Sequence, residues 1–268
     1  MIAKPEKKGN KIYIFHQLPE NWRRRLHPSI GFTYWETSKI HDNWVRMANQ
    51  MNAVFLSSLH NIEIFRNAGV KVPLFHIRPS LSHVSSSSEQ PPKYLRKLPP
   101  FRFLSVSQWV ERKGFDILLK AFWEEFTADD NVALVIKTFD LDAQDVERIK
   151  IKHGVSAQSA PVYFDLEPRN DNEMDALYRN CQAFVLPSRG EGLGYPLLEA
   201  AARGLPVITT GWGGQLDFLQ EHTSYLIPYQ LVPVKPQSYY GYQSDQLWAE
   251  VSVPELRNIM RSVFENYE

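Results

Sequence analysis

From Lys11 to Thr209 the chain alternates short apolar runs with amphipathic stretches. That rhythm belongs to a parallel sheet covered by helices. A parallel strand is buried on both faces, so it reads as a continuous apolar run and not as an alternating one. Val132-Ala133-Leu134-Val135-Ile136 is the clearest case. Strands are also predicted at 11–15, 29–35, 53–56, 74–77, 101–106, 162–164, 183–186 and 206–209. Helices are predicted at 44–52, 61–68, 114–126, 142–153, 172–180 and 196–203. In 114–126, Phe115, Leu118, Leu119 and Phe122 recur at helical spacing. Gly69 and Gly204 follow helix ends, and Pro196 opens a helix. No internal repeat of fixed period is present.

Residues 80–100 interrupt the series. Ser85-Ser86-Ser87-Ser88, Pro91-Pro92 and Pro99-Pro100 bury little surface. A linker is expected there, separating a domain at 1–98 from one at 99–268; a long surface loop within one domain is the alternative. The 268 residues suffice for one large domain or two small ones, and 43% apolar against 22% charged residues excludes wholesale disorder. The expected class is α/β with two Rossmann-like parallel-sheet domains.

Lys+Arg and Asp+Glu both number 30, so the chain lacks the basic footprint of a nucleic-acid binder, and no nucleic-acid partner is expected. A lone cysteine, Cys181, excludes an intrachain disulfide and a cysteine zinc site, and reads as a small packed residue suited to a reducing compartment. No apolar run approaches the roughly 18–20 residues that span a bilayer. The first residues lack the apolar stretch of a signal peptide. The expected location is the cytoplasm. The Arg23-Arg24-Arg25 run reads as a solvated face or as a peripheral contact with lipid phosphates.

The densest chemistry lies in Pro187-Ser188-Arg189-Gly190-Glu191-Gly192-Leu193-Gly194-Tyr195-Pro196-Leu197-Leu198-Glu199. Here a strand ends, a glycine-rich turn follows and a helix begins. Ligands of open α/β sheets bind at carboxyl ends of strands. Glycines let backbone approach a ligand, and a helix start favours an anion, with phosphate the natural guest. Glu191 and Glu199 beside such a site are suited to sugar or ribose hydroxyls. The plainer alternative leaves Glu199 facing the helix dipole and Glu191 in solvent.

The segment from Pro187 to Ile208 resembles the signature of retaining nucleotide-sugar glycosyltransferases of group 1, or family 4, including the acid–seven residues–acid spacing from Glu191 to Glu199. The resemblance implies the GT-B fold, in which two Rossmann-like domains face a cleft, with the donor held mainly by the second and no metal ion or other cofactor. It implies that Glu191 touches the donor sugar and Glu199 the ribose. The donor would be a nucleotide sugar such as a UDP- or GDP-hexose, and the acceptor a glycan, lipid or protein.

Upstream, Ser105 to Asp116 resembles the segment whose basic residues hold the donor diphosphate. Lys113 falls on the family lysine. Gln108 stands where an arginine is common, with Arg112 available to compensate. By the same resemblance Gly190, Gly192, Leu193 and Gly194 are donor contacts. Residues 30–37, Trp44, 55–65 and 69–70 look like the later part of the first domain, where Glu36 takes the place of a cleft-facing histidine. His16 is read as structural. Relative to the family, the opening strands and glycine loop of the first domain are missing, and the chain stops before a helix that returns to it. The first domain is therefore expected to be incomplete.

Two functions compete on these residues. One is retaining transfer of a sugar from a nucleotide diphosphate to a hydroxyl, with Glu191, Lys113 and Glu36 as catalytic candidates. The other is an inactive relative that binds nucleotide sugar or acts as a subunit. A nicotinamide enzyme lacks its glycine fingerprint here, and a glycosidase would set its acids across a sugar. The aromatic stretch around Tyr225–Tyr229 and Tyr239–Tyr242 is read as an acceptor-contacting or packed surface loop, and Gly211–Gln215 as a secondary ligand loop.

Overall fold

The computed structural model describes residues 11–78, 80–81, 90–235 and 241–267. The first unit runs β1 (Tyr13–His16), β2 (Ser29–Thr33), α1 (Asp42–Ala48), β3 (Ala53–Leu56), α2 (Leu59–Asn67) and β4 (Leu74–His76). Its strands form a four-stranded parallel sheet in chain order. The Ser58 hydroxyl caps α2 by accepting from Asn61 N–H at 3.2 Å. Gly69, at φ 98°, supplies the left-handed residue after it. One face of the sheet contributes Val54 and Leu56 to a core shared with Trp22, Trp35, Trp44 and Phe65. The other bears a row of rings in register across all four strands, His16, Phe32, Phe55 and Phe75. Neighbouring centroids in this row lie 4.5, 6.5 and 6.0 Å apart.

The second unit continues with β5 (Phe101–Val106), α3 (Phe115–Glu125), β6 (Val132–Lys137), α4 (Ala143–Lys152), β7 (Val162–Asp165) and α5 (Asp171–Arg179). Then follow β8 (Ala183–Leu186), α6 (Tyr195–Ala202), β9 (Val207–Thr210) and β10 (Tyr225–Ile227). The strands order as β10-β9-β8-β5-β6-β7, all parallel. The chain grows outward from β5 in one direction, then returns to build the other half from β8. That reversal makes the β5/β8 boundary the topological switch point, where a crevice opens at the carboxyl ends. Burial alternates as expected of a doubly covered sheet. Leu134 and Ile136 join α3 on one face, while Val135 joins α5 and α6 on the other. The two sheets facing each other by their carboxyl ends give the GT-B arrangement.

Three segments differ from expectation. The aromatic stretch is not a loop: Tyr225–Ile227 is the edge strand β10, and β11 (Tyr229–Pro233) pairs antiparallel with β12 (Leu247–Val251). Val232, Val234, Tyr242 and Trp248 of this hairpin enter the core of the first sheet; Tyr239 and Tyr240 lie outside the described residues. The long stretch 80–100 buries more than its prolines suggest. Leu95 is in the second core and Tyr94 stacks on Tyr163 at 3.8 Å, while Ser85–Ser88 lie outside the described residues. Last, α7 (Val253–Glu265) packs Leu256, Met260 and Val263 against α3. Among the described residues no helix is long and apolar enough to cross a membrane.

The link from β1 to β2 depends on one glycine. Trp22 lies flat on β2, and a Cβ on Gly31 would stand 2.4 Å from its ring carbons. Gly31→Ala is expected to destabilise the protein by about 1–3 kcal/mol through overpacking. A urea-unfolding midpoint equal to that of the parent protein would contradict the packing.

Candidate active site in the cleft between the sheets

The carboxyl ends of the two sheets enclose a cleft of about 1180 Å³. From the first sheet it is lined by His16 and Gln17 at the end of β1, and by Thr33 to Glu36 at the end of β2. From the second it is lined by the ends of β5 and β6, the Arg112-Lys113 turn and the stretch Glu191–Pro196.

That basic turn is clamped to the end of β8. Gly114, at φ 71°, closes it, and a Cβ there would stand 2.1 Å from Pro187 O. Arg189 N–H donates to Arg112 O at 2.6 Å. The Ser188 hydroxyl donates to Gly190 O at 3.0 Å. With the backbones so fixed, four charges meet. Lys113 Nζ donates to Glu191 Oε1 at 2.7 Å. Arg112 Nη1 donates to Gly190 O at 2.6 Å and lies 3.6 Å from Glu191 Oε1. Arg112 Nη2 lies 3.4 Å from Glu36 Oε1 on the opposite sheet. All four residues are buried.

Burial opposes ionisation of both acids, and their surroundings divide them. Around Glu191 the pull of Lys113 and Arg112 outweighs burial and holds its pKa below the ordinary range. At Glu36 burial dominates over Arg112, with Glu191 adding repulsion, so its pKa is raised. Burial also pushes the Lys113 ammonium down, against the pull of Glu191.

The glycines of the turn serve the meeting of the two sheets. A Cβ on Gly190 would lie 2.0 Å from Glu36 O, and one on Gly192 would lie 2.8 Å from Tyr34 Cβ. Gly194, at φ 88°, is the N-cap of α6. The N–H groups of Gly192, Leu193 and Gly194 form no hydrogen bond among the described residues. These three residues line the cleft at the start of a helix, where backbone donors favour an anion.

Of the predicted site residues, Glu36, Gln108, Arg112, Lys113, Glu191, Gly192, Leu193 and Gly194 line this one cleft. Gly190 lies behind them and offers its carbonyl to Arg112. Glu199 does not line it; its carboxylate accepts from the Tyr178 hydroxyl at 2.8 Å. Gln108 donates to Asp140 at 3.1 Å. Gly211–Gln215 does not line the cleft either. It packs between the sheets, with Trp212 edge-on to His60 at 4.9 Å and Gly214 N–H donating to Glu191 O at 2.8 Å. Just beyond it, Asp217 accepts from Leu59 N–H at 2.9 Å. Of the Arg23–Arg25 run, Arg23 and Arg24 donate to the nearby carbonyls of Glu20, Trp22 and Gln50. Sequence reasoning missed Lys137, Thr138 and Phe139, which line the cleft after β6. The signal was there, since an apolar parallel strand that ends in lysine delivers a cation to the ligand edge.

The raised pKa of Glu36 fixes a pH dependence. The folded state binds this proton more tightly than the unfolded state, so ionising Glu36 destabilises the fold as pH rises. The penalty is absent well below the ordinary carboxyl value of 4.5 and full above the raised one. Glu36→Gln removes it. The melting temperature of the variant minus that of the parent is expected to be more positive at pH 8 than at pH 4. A difference that is flat or falls with pH would refute the assignment.

Comparison with known proteins bears on the fold and the family. Residues 86–230, more than half of the chain, match the family model described as glycosyl transferases group 1. The GtfA subunit of a UDP-N-acetylglucosamine–peptide N-acetylglucosaminyltransferase from Streptococcus agalactiae is 28% identical over 156 residues, covering 58% of this chain and 29% of that protein. The crystal structure of TarM superposes with a TM-score of 0.65 at 13% identity, covering 95% of this chain and 48% of that one. Anabaena HepE, solved with UDP and glucose, gives a TM-score of 0.65 at 17% identity, covering 90% of this chain and 63% of that one. The chain thus spans under a third of that GtfA relative and about half of TarM. The structural likenesses establish the fold, and the family match establishes that the chain belongs to the group 1 glycosyl transferases.

Proposed function

We propose that the chain transfers a sugar from a nucleoside diphosphate donor to an acceptor hydroxyl, with retention at the anomeric carbon. The observation that carries this reading is the convergence, at the switch point of the second sheet, of Lys113, Arg112, Glu191 and three open amides. The amides and the start of α6 take the diphosphate. Lys113 and Arg112 neutralise the charge that grows on it as the bond from the anomeric carbon to the phosphate oxygen breaks. No metal ion is required in this scheme. The acceptor oxygen bonds to the anomeric carbon on the same face, and its proton passes to the leaving phosphate. Glu191 is held ionised beside an anion site by its two cations, and its remaining lone pairs accept from donor-sugar hydroxyls. Glu36 faces the same point from the acceptor side.

Residues 1–98 are read as the acceptor side and 99–268 as the donor side, with the β11–β12 hairpin reaching back across. The UDP bound in HepE puts UDP-hexoses first among donors to try, with GDP-hexoses next. The alternative, a member that binds donor without turnover, is favoured by one observation. Gln108, where an arginine is common in the family, brings no charge and is engaged by Asp140.

Release of nucleoside diphosphate from a panel of UDP- and GDP-sugars tests both readings. Glu191→Gln keeps the side-chain volume and is expected to lower kcat by roughly 100-fold, with nucleotide affinity within a few-fold of the parent. Equal turnover in the variant rejects the role of Glu191. Donor binding by the parent with neither transfer nor hydrolysis favours the binding module.

A further inference from the structure

The donor reading leaves the nucleobase unassigned, and the shape of the cleft narrows it; a base site of this kind presupposes that reading. A diphosphate on the 192–194 amides leaves its nucleoside two directions along the strand ends. Toward β9 the space is filled. A Cβ on Gly214 would stand 2.1 Å from Gly192 O, and Gln215, wholly buried, donates to the carbonyls of Thr210 and Trp212. Among the described residues, none after Pro196 lines the cleft. Toward β6 the cleft is open, lined by Ser107, Lys137, Thr138, Phe139 and Met174.

Two features there suit a base. Phe139 presents an aromatic ring that is 55% exposed. The turn carrying it is shaped by Asp140, at φ 68°, whose carboxylate accepts from Gln108 at 3.1 Å. Gln108 thereby braces the β6 turn from the β5 end. The second feature is Lys137. Its ammonium donates to Thr138 O and Asp165 O, both at 3.3 Å. An ammonium has three N–H groups, so one is left for a ligand. Arg112 and Lys113 face carboxylates, whereas the hydrogen-bond partners of Lys137 are backbone carbonyls.

We propose that the Lys137–Phe139 turn and Met174 form the nucleobase end of the donor cleft. There Lys137 selects a base that presents a carbonyl oxygen, O4 of uracil or O6 of guanine, over cytosine or adenine. A donor-only group pairs with that oxygen, and it opposes the amino group that cytosine and adenine carry at the same place.

Calorimetry of the full chain with UDP, CDP, GDP, ADP and inorganic pyrophosphate tests this. The parent protein is expected to bind UDP over CDP, or GDP over ADP, by about tenfold or more. In Lys137→Met that ratio falls to within about twofold while pyrophosphate affinity is kept, and Lys137→Arg restores part of it. A merely structural lysine would lower all affinities together and leave the ratio unmoved. Equal binding of keto and amino bases by the parent, a ratio that survives Lys137→Met, or binding of pyrophosphate alone overturns the base assignment and leaves the diphosphate site standing. Binding of none of the five overturns the donor reading and the base assignment with it.

Discussion

The Glu191 carboxylate sits buried between Lys113 and Arg112, and Arg112 reaches across to Glu36 on the other sheet. The rest of the structure depends on this knot of charge. Removing charges from water is unfavourable, and deleting one partner of a buried pair leaves the other uncompensated, at a typical cost of about 3–5 kcal/mol. The knot therefore fixes the basic turn, the glycine turn and the end of β2 relative to one another. A cleft whose walls come from two sheets needs such a tie, because interfaces between domains are otherwise free to move.

The glycine turn joins two requirements in one stretch. Gly190 and Gly192 let Glu36 and Tyr34 approach at distances that a side chain would forbid. Gly194 bends the backbone into α6, and the three residues whose N–H groups form no hydrogen bond among the described residues line the cleft. Reading the glycines only as a cradle for phosphate misses the first use. The second unit reinforces the closure, since Trp248 and Tyr242 from beyond β10 enter the tryptophan-rich core of the first sheet. The Arg189 side chain, which forms ion pairs with Asp116 and Glu250 and stands 5.4 Å over the Trp248 ring, ties that hairpin to the basic turn.

Much of the fold was legible because it is written locally. The runs 53–56, 101–106 and 183–186 are strands at those limits, and 114–126 encloses α3. Parallel strands buried on both faces advertise themselves through continuous apolar sequence. The β11–β12 hairpin was not legible. Its residues are nearly all exposed along β11, and its partner lies beyond a long connection, so the hairpin shows itself only in the antiparallel ladder from Tyr229–Val251 to Pro233–Leu247. The α7 helix carried a readable start in Ser252, Pro254 and Glu255, with Leu256, Met260 and Val263 at helical spacing. In the site, the motif brought Glu191, Lys113 and Arg112 together. It could not give the partner of Glu199, because Tyr178 comes from a different helix. Lys137 was legible only in part: the sequence shows a lysine at the end of an apolar strand, but that this strand borders the cleft is set by the strand order, which residue spacing does not encode.

The transferase reading stands or falls on a diphosphate being received by the backbone amides ahead of Pro196. Amide hydrogen exchange at Gly192, Leu193 and Gly194, followed with and without saturating UDP, addresses it directly. Exchange at these three residues is expected to slow on UDP binding, while the amides of the exposed β4 edge keep their rates. Unchanged exchange at all three, in a sample shown by calorimetry to hold UDP, would contradict the site.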